Sequence, residues 1–138
     1  MTVLANAKIV LPGAIVEGAI RLNGAEIAAI EPGRTTGDVD CGGDYLLSGL
    51  IDLHTDAIEK HYQPRPSVKW DPMASAIAHD AQIATSGITT VFDALPFGTS
   101  YRNIERAASL GPLLQGLDDA ERAGALRVDH FLHARCEV

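Results

Sequence analysis

The sequence predicts an α/β protein in which a small antiparallel β segment, residues 1–47, precedes three β/α units of a parallel sheet, residues 48–138. Short apolar runs separated by Pro-Gly and Asn-Gly pairs fill the first third of the chain and indicate strands joined by tight turns. After residue 45, strand patterns alternate with helical patterns at a spacing of ~30–40 residues, which is typical of β-α-β units. The chain is 46% hydrophobic and 21% charged, the composition of a globular protein with a buried core.

Three strands are predicted in the N-terminal segment, over residues 3–11, 14–22 and 25–31. The Asn23-Gly24 pair between the second and third strands is typical of a type I′ hairpin turn, in which both central residues have positive φ. Residues 33–44 are rich in glycine and aspartate and predict a loop. These features together predict an antiparallel sheet.

The next strand spans residues 45–53, and its continuous apolar pattern predicts burial on both faces. A helix follows over residues 71–87. Asp71 is its expected N-cap, Pro72 takes the first helical position and Gly87 ends it.

The remaining predicted elements are a strand over residues 88–95, a loop over 96–103, a helix over 104–124 and a strand over 125–138. Gly111-Pro112 predicts a break or a restart within the second helix. His79 is interpreted as packing on the inner face of its helix. His130, at the start of the third strand, is interpreted as structural.

Two architectures have consecutive parallel strands of this kind, an open doubly wound sheet and a (β/α)₈ barrel. No G-x-G-x-x-G motif follows a strand, which counts against a nucleotide-binding open sheet. A (β/α)₈ barrel needs about 250 residues. If the barrel is correct, we expect these 138 residues to be an N-terminal portion of a longer protein.

Charge and composition limit the partners. The formal charge of −7 and a pI near 5.0 argue against nucleic acid. No signal-peptide pattern or run of ~18 apolar residues is visible, so no membrane is expected and a cytoplasmic location is predicted. Cys41 and Cys136 form no CxxC pair and are expected to be reduced thiols.

Polar side chains crowd the end of the first strand of the second segment. Because side chains alternate along a strand, Asp52, His54 and Asp56 share one face, opposite Ile51 and Leu53. Imidazole and carboxylate groups from one strand end can converge on a divalent cation, since both suit zinc or a manganese-like ion. The competing interpretation is a polar strand end that meets solvent.

The other two strands end in the same kind of residue. His133, Arg135 and Glu137 share one face of the third strand, and Asp93 on the second strand is predicted to point inward. An Arg–Glu pair is equally compatible with a structural ion pair. Because active sites of (β/α)₈ barrels lie at the carboxyl ends of the strands, three such ends together favour a functional site.

Residues 57–70 are locally basic in an acidic protein. The segment contains three basic residues, Lys60, Arg65 and Lys69, and one acidic residue, Glu59. The prolines on either side of Arg65 stiffen the backbone. This composition predicts a loop that binds an anionic substrate with phosphates. The competing interpretation is a solvated loop.

These motifs resemble the amidohydrolase superfamily. "SGLIDLHTD" is similar to the first barrel strand of that superfamily, whose usual motif is His-x-His, but Asp56 replaces the second histidine. With "HTDAIEKHYQPRP", "HDA" at 79–81, "GITTVFDA" at 87–94 and "LHARCE" at 132–137, the chain resembles one branch. That branch is the alpha-D-ribose 1-methylphosphonate 5-triphosphate diphosphatases of the carbon–phosphorus lyase pathway.

The resemblance implies the N-terminal part of a metal-dependent-hydrolase (β/α)₈ TIM barrel, preceded by a small β-sandwich segment. It implies one or two divalent ions, zinc first and manganese as the alternative, with His54, Asp56 and Glu137 as ligands. Lys60 and Arg65 are assigned to the substrate's triphosphate. The side chains expected to support the site from behind are Asp93, Arg135 and His61.

The reaction that the resemblance implies is hydrolysis of the 5-triphosphate of a phosphorylated small molecule, with release of pyrophosphate. Two alternatives stay open: an amidohydrolase that cleaves a C–N bond, as a deacetylase or cyclic amidase does, and a non-catalytic scaffold. Three β/α units cannot close a barrel, so we expect the 138-residue chain alone to be inactive. A homo-oligomer or the remainder of a longer chain is expected to cover its exposed strand edges.

Overall fold

The computed structural model describes residues 1–98 and 107–136 of a mixed α/β protein. The chain divides into two compact units, Met1–Ser48 and Gly49–Val138. No helix within the described ranges is both long enough and apolar enough to cross a bilayer. Cys41, in the first unit, and Cys136, in the second, are free thiols.

The first unit is a five-stranded sheet. Its strands are β1 (Thr2–Leu11), β2 (Ala14–Asn23), β3 (Glu26–Pro32), β4 (Val39–Asp40) and β5 (Tyr45–Leu46). The first three strands are antiparallel, as predicted, whereas β4 and β5 each pair in parallel with β1. The prediction of a loop over residues 33–44 is therefore wrong at β4, where backbone pairing with β1 overrides the weak local strand signal.

The hairpin between β2 and β3 turns one residue later than the sequence predicts. Asn23 pairs with Glu26, so Gly24 and Ala25 form the turn. Gly24 has φ +60°, whereas Asn23 and Ala25 are not among the residues with positive φ. The type I′ prediction is wrong, because a positive φ at the first central residue alone is what a type II′ turn requires.

Within the described residues, the second unit is a parallel sheet with three helices. Its strands are β6 (Leu50–Thr55), β7 (Ile88–Phe97) and β8 (Asp129–Cys136), in the order β6-β7-β8. Its helices are α1 (Ala57–Tyr62), α2 (Pro72–Thr85) and α3 (Leu110–Arg122). The parallel β-α-β arrangement is confirmed for these three strands.

Local signals place the helix ends well. The Asp71 carboxylate accepts a hydrogen bond from the Ala74 backbone N–H at 2.8 Å, and Pro72 occupies the first helical position of α2. Gly87, just beyond α2, has φ +79°. The predicted restart at Gly111-Pro112 is also confirmed, since α3 begins at Leu110.

Strand limits differ from the sequence prediction at both of the later strands. β7 extends two residues further, to Phe97, because Pro96 and Phe97 pair with β8. β8 begins at Asp129 rather than at residue 125. Part of the predicted loop and the start of the predicted second helix, residues 99–106, lie outside the described residues.

The prediction of one strand over residues 45–53, buried on both faces, is wrong. The segment divides into β5 and β6, which belong to different sheets. Leu50 is 57% exposed and Leu53 70% exposed, because β6 is an edge strand of the second sheet and the described helices pack against only one face of that sheet. Further exposed apolar side chains on this sheet are Ile51, Phe131 and Leu132.

The core of the second unit lies between the helices and β7. It is formed by buried side chains from α1, α2, α3 and β7: Ile58, Tyr62, Ala76, Leu95, Leu113 and Ala120. A smaller cluster of Ile83, Val91 and Val128 extends it towards the start of β8. Val91 and Leu95 both belong to the face of β7 that contacts the helices.

Gly116 on α3 allows this helix to pack closely against the start of α2. A Cβ at this position would lie 2.5 Å from the carbonyl carbon of Pro72 and 2.6 Å from its oxygen. We predict that Gly116→Ala destabilises the protein by about 1–3 kcal/mol, because the backbone of α2 must move. Urea unfolding of the intact protein measures this loss.

Gly111→Ala is the matched control, since a Cβ there meets no atom within 4 Å. It should be neutral or stabilise by up to about 1 kcal/mol, the normal gain of alanine over glycine in a helix. Equal stability of the two variants would contradict the proposed close contact.

Candidate functional site

The sheet of the second unit carries two clusters of polar side chains, one on each face. Asp93 of β7 is bonded to His79 of α2, so its side chain lies on the face that the helices cover. Phe92 stacks on Phe131 at a ring-centroid distance of 5.3 Å, and both lie on the opposite face. We call these the helix face and the open face.

Two histidines meet on the open face. The rings of His54, near the end of β6, and His133 of β8 lie edge to face with centroids 4.8 Å apart. His133 Nδ1 lies 3.4 Å from the backbone oxygen of Leu53. A proton on Nδ1 would leave Nε2 of His133 as the basic nitrogen.

Arg135 brings β8 and the start of α1 together on the same face. Its guanidinium nitrogens lie 3.4 Å from Asp56 Oδ2 and 3.5 Å from Glu59 Oε1. Asp56 precedes α1 directly and makes no capping hydrogen bond through its side chain. The open face therefore brings together four polar residues from the ends of β6 and β8 and the start of α1: His54, His133, Arg135 and Asp56.

The predicted phosphate-binding residues lie on two different elements. Lys60 and His61 belong to helix α1, so their assignment to a loop is wrong; the helix forms because Ile58 and Tyr62, four residues apart, both pack into the core. Arg65 is exposed, and its backbone forms an isolated antiparallel β-bridge with that of Val68.

His61 is turned towards α2. Its Nε2 lies 2.9 Å from Gln82 Oε1, and its ring is 5.7 Å from that of His79. Glu137, the third predicted metal ligand, lies outside the described residues. The structure thus describes two of the three predicted ligands, His54 and Asp56.

The helix face holds a buried cluster of two histidines and an aspartate. His79 Nε2 lies 2.7 Å from Asp93 Oδ1, and His130 Nδ1 lies 2.7 Å from Asp93 Oδ2. His79 and Asp93 have no exposed surface, and the side chain of His130 is only 6% exposed. The carboxylate of Asp93 therefore joins α2 to β8.

A second buried carboxylate extends this cluster. Asp80 accepts hydrogen bonds from the backbone N–H groups of Arg127 and Val128 and from the Arg127 guanidinium, at 2.8–3.0 Å. Asp80 Oδ1 also lies 3.5 Å from His130 Nε2. The start of β8 is thus tied to α2 through Asp80 as well.

Opposing effects set the pKa values of these groups. Burial alone would raise the pKa of Asp93, but hydrogen bonds from His130 and His79 outweigh it and hold the pKa below its ordinary value. The pKa of Asp80 is lowered in the same way, with burial opposed by Arg127 and Val128. Burial would lower the pKa of His130, but Asp93 and Asp80 raise it.

The inward orientation predicted for Asp93 is therefore wrong. Val91, Asp93 and Leu95 are two residues apart along β7 and therefore share one face of the strand. Since Val91 and Leu95 are apolar and pack on the helices, this pattern could have shown the orientation of Asp93. No comparable local pattern indicates the role of His130, whose partners Asp93 and Asp80 lie 37 and 50 residues away along the chain.

A metal ion could be bound by the helix-face cluster. His79, Asp93 and His130 each offer one ligand atom, and these atoms lie within 4.8 Å of one another. Two imidazoles and a carboxylate are a common donor set for zinc and other divalent transition metals. On the open face, His54 and Asp56 offer the same two donor types, and they suit the same ions.

Comparison with known proteins supports the resemblance seen in the motifs. The chain is 36% identical over 138 residues to alpha-D-ribose 1-methylphosphonate 5-triphosphate diphosphatase of Escherichia coli (strain K12). The matched region is 99% of this chain and 36% of that relative, so the chain spans about a third of the relative's length. No protein-family model matches the chain. The chain is thus similar, along almost its whole length, to a diphosphatase, which is a hydrolase.

We predict that Asp80→Asn lowers the free energy of unfolding by about 2–4 kcal/mol, because it removes a buried charge-assisted acceptor and turns a donor towards Arg127. Thermal unfolding of the intact protein measures this effect. Asp118→Asn is the control, since Asp118 pairs with Arg122 on the surface of α3 at 2.7 Å. That change should cost under about 0.5 kcal/mol. Equal losses would contradict a special role for Asp80.

Proposed function

We propose that the intact protein is a metal-dependent diphosphatase of phosphonate catabolism. Its substrate would be alpha-D-ribose 1-methylphosphonate 5-triphosphate, from which it releases pyrophosphate. The observation that carries this proposal is the 36% identity, over 99% of this chain, to a relative with that name. The residues on the open face give the proposal its chemistry.

The proposed metal ligands are His54, Asp56 and Glu137, with zinc as the preferred ion and manganese as the alternative. His54 lies near the end of β6 and Asp56 directly follows that strand, which supports this assignment because barrel active sites lie at the carboxyl ends of parallel strands. A divalent ion bound there would supply an activated water at neutral pH. The number of ions, one or two, is part of the proposal.

Arg135 is proposed to hold the carboxylate of Asp56 in place. Its guanidinium lies within 3.5 Å of oxygens from both Asp56 and Glu59, and its side chain is largely buried. A planar guanidinium fixes the orientation of a carboxylate more firmly than an ammonium group does. Arg135 is accordingly a positioning residue, while His61 and Asp93 bond to the helix layer and are less suited to that task.

Lys60 and Arg65 are proposed to bind the triphosphate. Both side chains are exposed, and both belong to the segment that directly follows the end of β6. In a chain of net charge −7, an anionic substrate needs a local basic region to offset the general repulsion. Positive groups beside the leaving pyrophosphate would also stabilise the charge that builds there.

The first prediction from this proposal concerns the reaction and its metal. The intact protein should release pyrophosphate from the ribosyl 5-triphosphate, measured by a coupled pyrophosphate assay. His54→Ala should lower bound metal per chain and cut the rate by at least ~100-fold, since residues that merely support a ligand already cost about 10–100-fold.

The same assays separate the alternatives. Ammonia or acetate release from amide substrates, without pyrophosphate release, would indicate an enzyme that cleaves C–N bonds. A well-folded protein with bound metal and neither activity would indicate a scaffold. Unchanged metal content and rate in His54→Ala would contradict the ligand assignment.

The second prediction concerns the basic residues. Lys60→Ala and Arg65→Ala should each raise KM for the triphosphate about 3–10-fold, because an exposed ion pair contributes on the order of 1 kcal/mol. The effect should shrink at high salt, since screening weakens exposed charges. Arg122→Ala, on α3, removes an exposed charge elsewhere and should leave KM unchanged. Equal KM values for all three variants would exclude Lys60 and Arg65 from the phosphate site.

A further inference from the structure

The proposed reaction does not use the buried cluster of His79, Asp93 and His130. These side chains lie on the helix face of the sheet, whereas His54, Asp56 and Arg135 lie on the open face. One ligand atom from each of the three residues lies within 4.8 Å of the other two. Three side chains of types that bind metal ions thus converge at a buried position, and the proposed reaction does not explain why.

Hydrogen bonding leaves part of the cluster unsatisfied. His79 Nδ1 is buried and has no hydrogen-bond partner among the described residues, and the contact of His130 Nε2 with Asp80 Oδ1 is long, at 3.5 Å. A buried polar atom without a partner typically costs about 1–3 kcal/mol. A network that served only to join α2 to the sheet would more simply use groups that satisfy one another completely.

Asp80 lies where a supporting carboxylate belongs behind a metal-bound histidine. Its Oδ1 is 3.5 Å from His130 Nε2, the ring nitrogen that does not contact Asp93. Metal-bound histidines commonly direct their second ring nitrogen at a carboxylate, which fixes the ring orientation. Asp80 is itself held by three hydrogen bonds from Arg127 and Val128, so this support is rigid.

Charge also favours a cation at this place. Asp80 and Asp93 bring two negative charges into the cluster, and Arg127 brings one positive charge. With both imidazoles neutral, one negative charge stays uncompensated in a buried place, which is costly. A bound cation would compensate this negative charge. Without a metal, protonation of His130 would compensate it instead.

We propose that His79, Asp93 and His130 form a second, structural site for a divalent transition metal such as zinc, separate from the open-face centre. The ion would take one nitrogen from each histidine and one oxygen from Asp93, with a ligand from outside this set completing the coordination. The ion would join α2, β7 and β8, and would so fix the position of β8, whose His133 and Arg135 lie on the open face. The site does not depend on the proposed reaction.

The test measures metal content in the intact protein. Metal is removed from the protein with a chelator, and the protein is then reloaded with Zn²⁺ or Co²⁺. After excess metal has been removed, elemental mass spectrometry gives the number of metal ions per chain. His79→Asn and His130→Asn should each lose about one equivalent relative to the unchanged protein. His61→Asn is the matched control, because His61 lies 5.7 Å from His79 but is not one of the three donors.

His54→Ala provides the independent measurement. It should keep about one tightly bound equivalent, whose Co²⁺ absorption spectrum shows nitrogen and oxygen ligands, and Zn²⁺ should raise its unfolding temperature by several degrees. This result stands even if His79→Asn and His130→Asn do not fold. Loss of all metal from His54→Ala would overturn the proposal and show a metal-free, hydrogen-bonded cluster.

Equal metal content in His79→Asn, His130→Asn and the unchanged protein would overturn it in the same way. The proposed function fails separately: it fails if pyrophosphate release is absent, or if His54→Ala leaves both rate and metal unchanged. Each outcome therefore identifies which of the two sites was assigned wrongly.

Discussion

The attachment of β8 to α2 through Asp80 is the constraint on which the second unit depends. Asp80 has no exposed surface, yet it accepts three hydrogen bonds from the two residues that lead into β8. From there β8 pairs with β7 without a register shift, from Asp129 to Cys136. A strand fixed at its start and paired regularly has every later side chain in a defined place, and His133 and Arg135 owe their positions on the open face to this.

The sheet separates two kinds of polar chemistry. On the helix face, hydrogen bonds between Asp93 and the two histidines, His79 and His130, join α2, β7 and β8 in a buried layer. On the open face, His54, His133 and Arg135 lie near the carboxyl ends of the strands. The exposed basic residues Lys60 and Arg65 belong to the segment that follows β6. Alternation along β7 and β8 is sufficient to keep the two groups apart, because adjacent side chains of a strand point to opposite faces.

Much of the fold could be predicted because its signals are local. The helix boundary at Asp71-Pro72, the restart at Gly111-Pro112 and the parallel strand order all follow from capping chemistry and periodicity. The errors arose where distant parts of the chain decide. The division between β5 and β6 and the helix that carries Lys60 depend on pairing and packing partners that no short window contains.

The candidate site shows the same division. By itself, the sequence determined the residue types at the strand ends, the shared face of His133 and Arg135, and the motifs that resemble a diphosphatase. Only the tertiary structure decided that Asp93 lies under the helices between His79 and His130, and that Arg135 of β8 reaches Asp56 across β7. The physical reason is that a strand fixes which of its side chains alternate, whereas packing fixes which face is covered and what each side chain meets there.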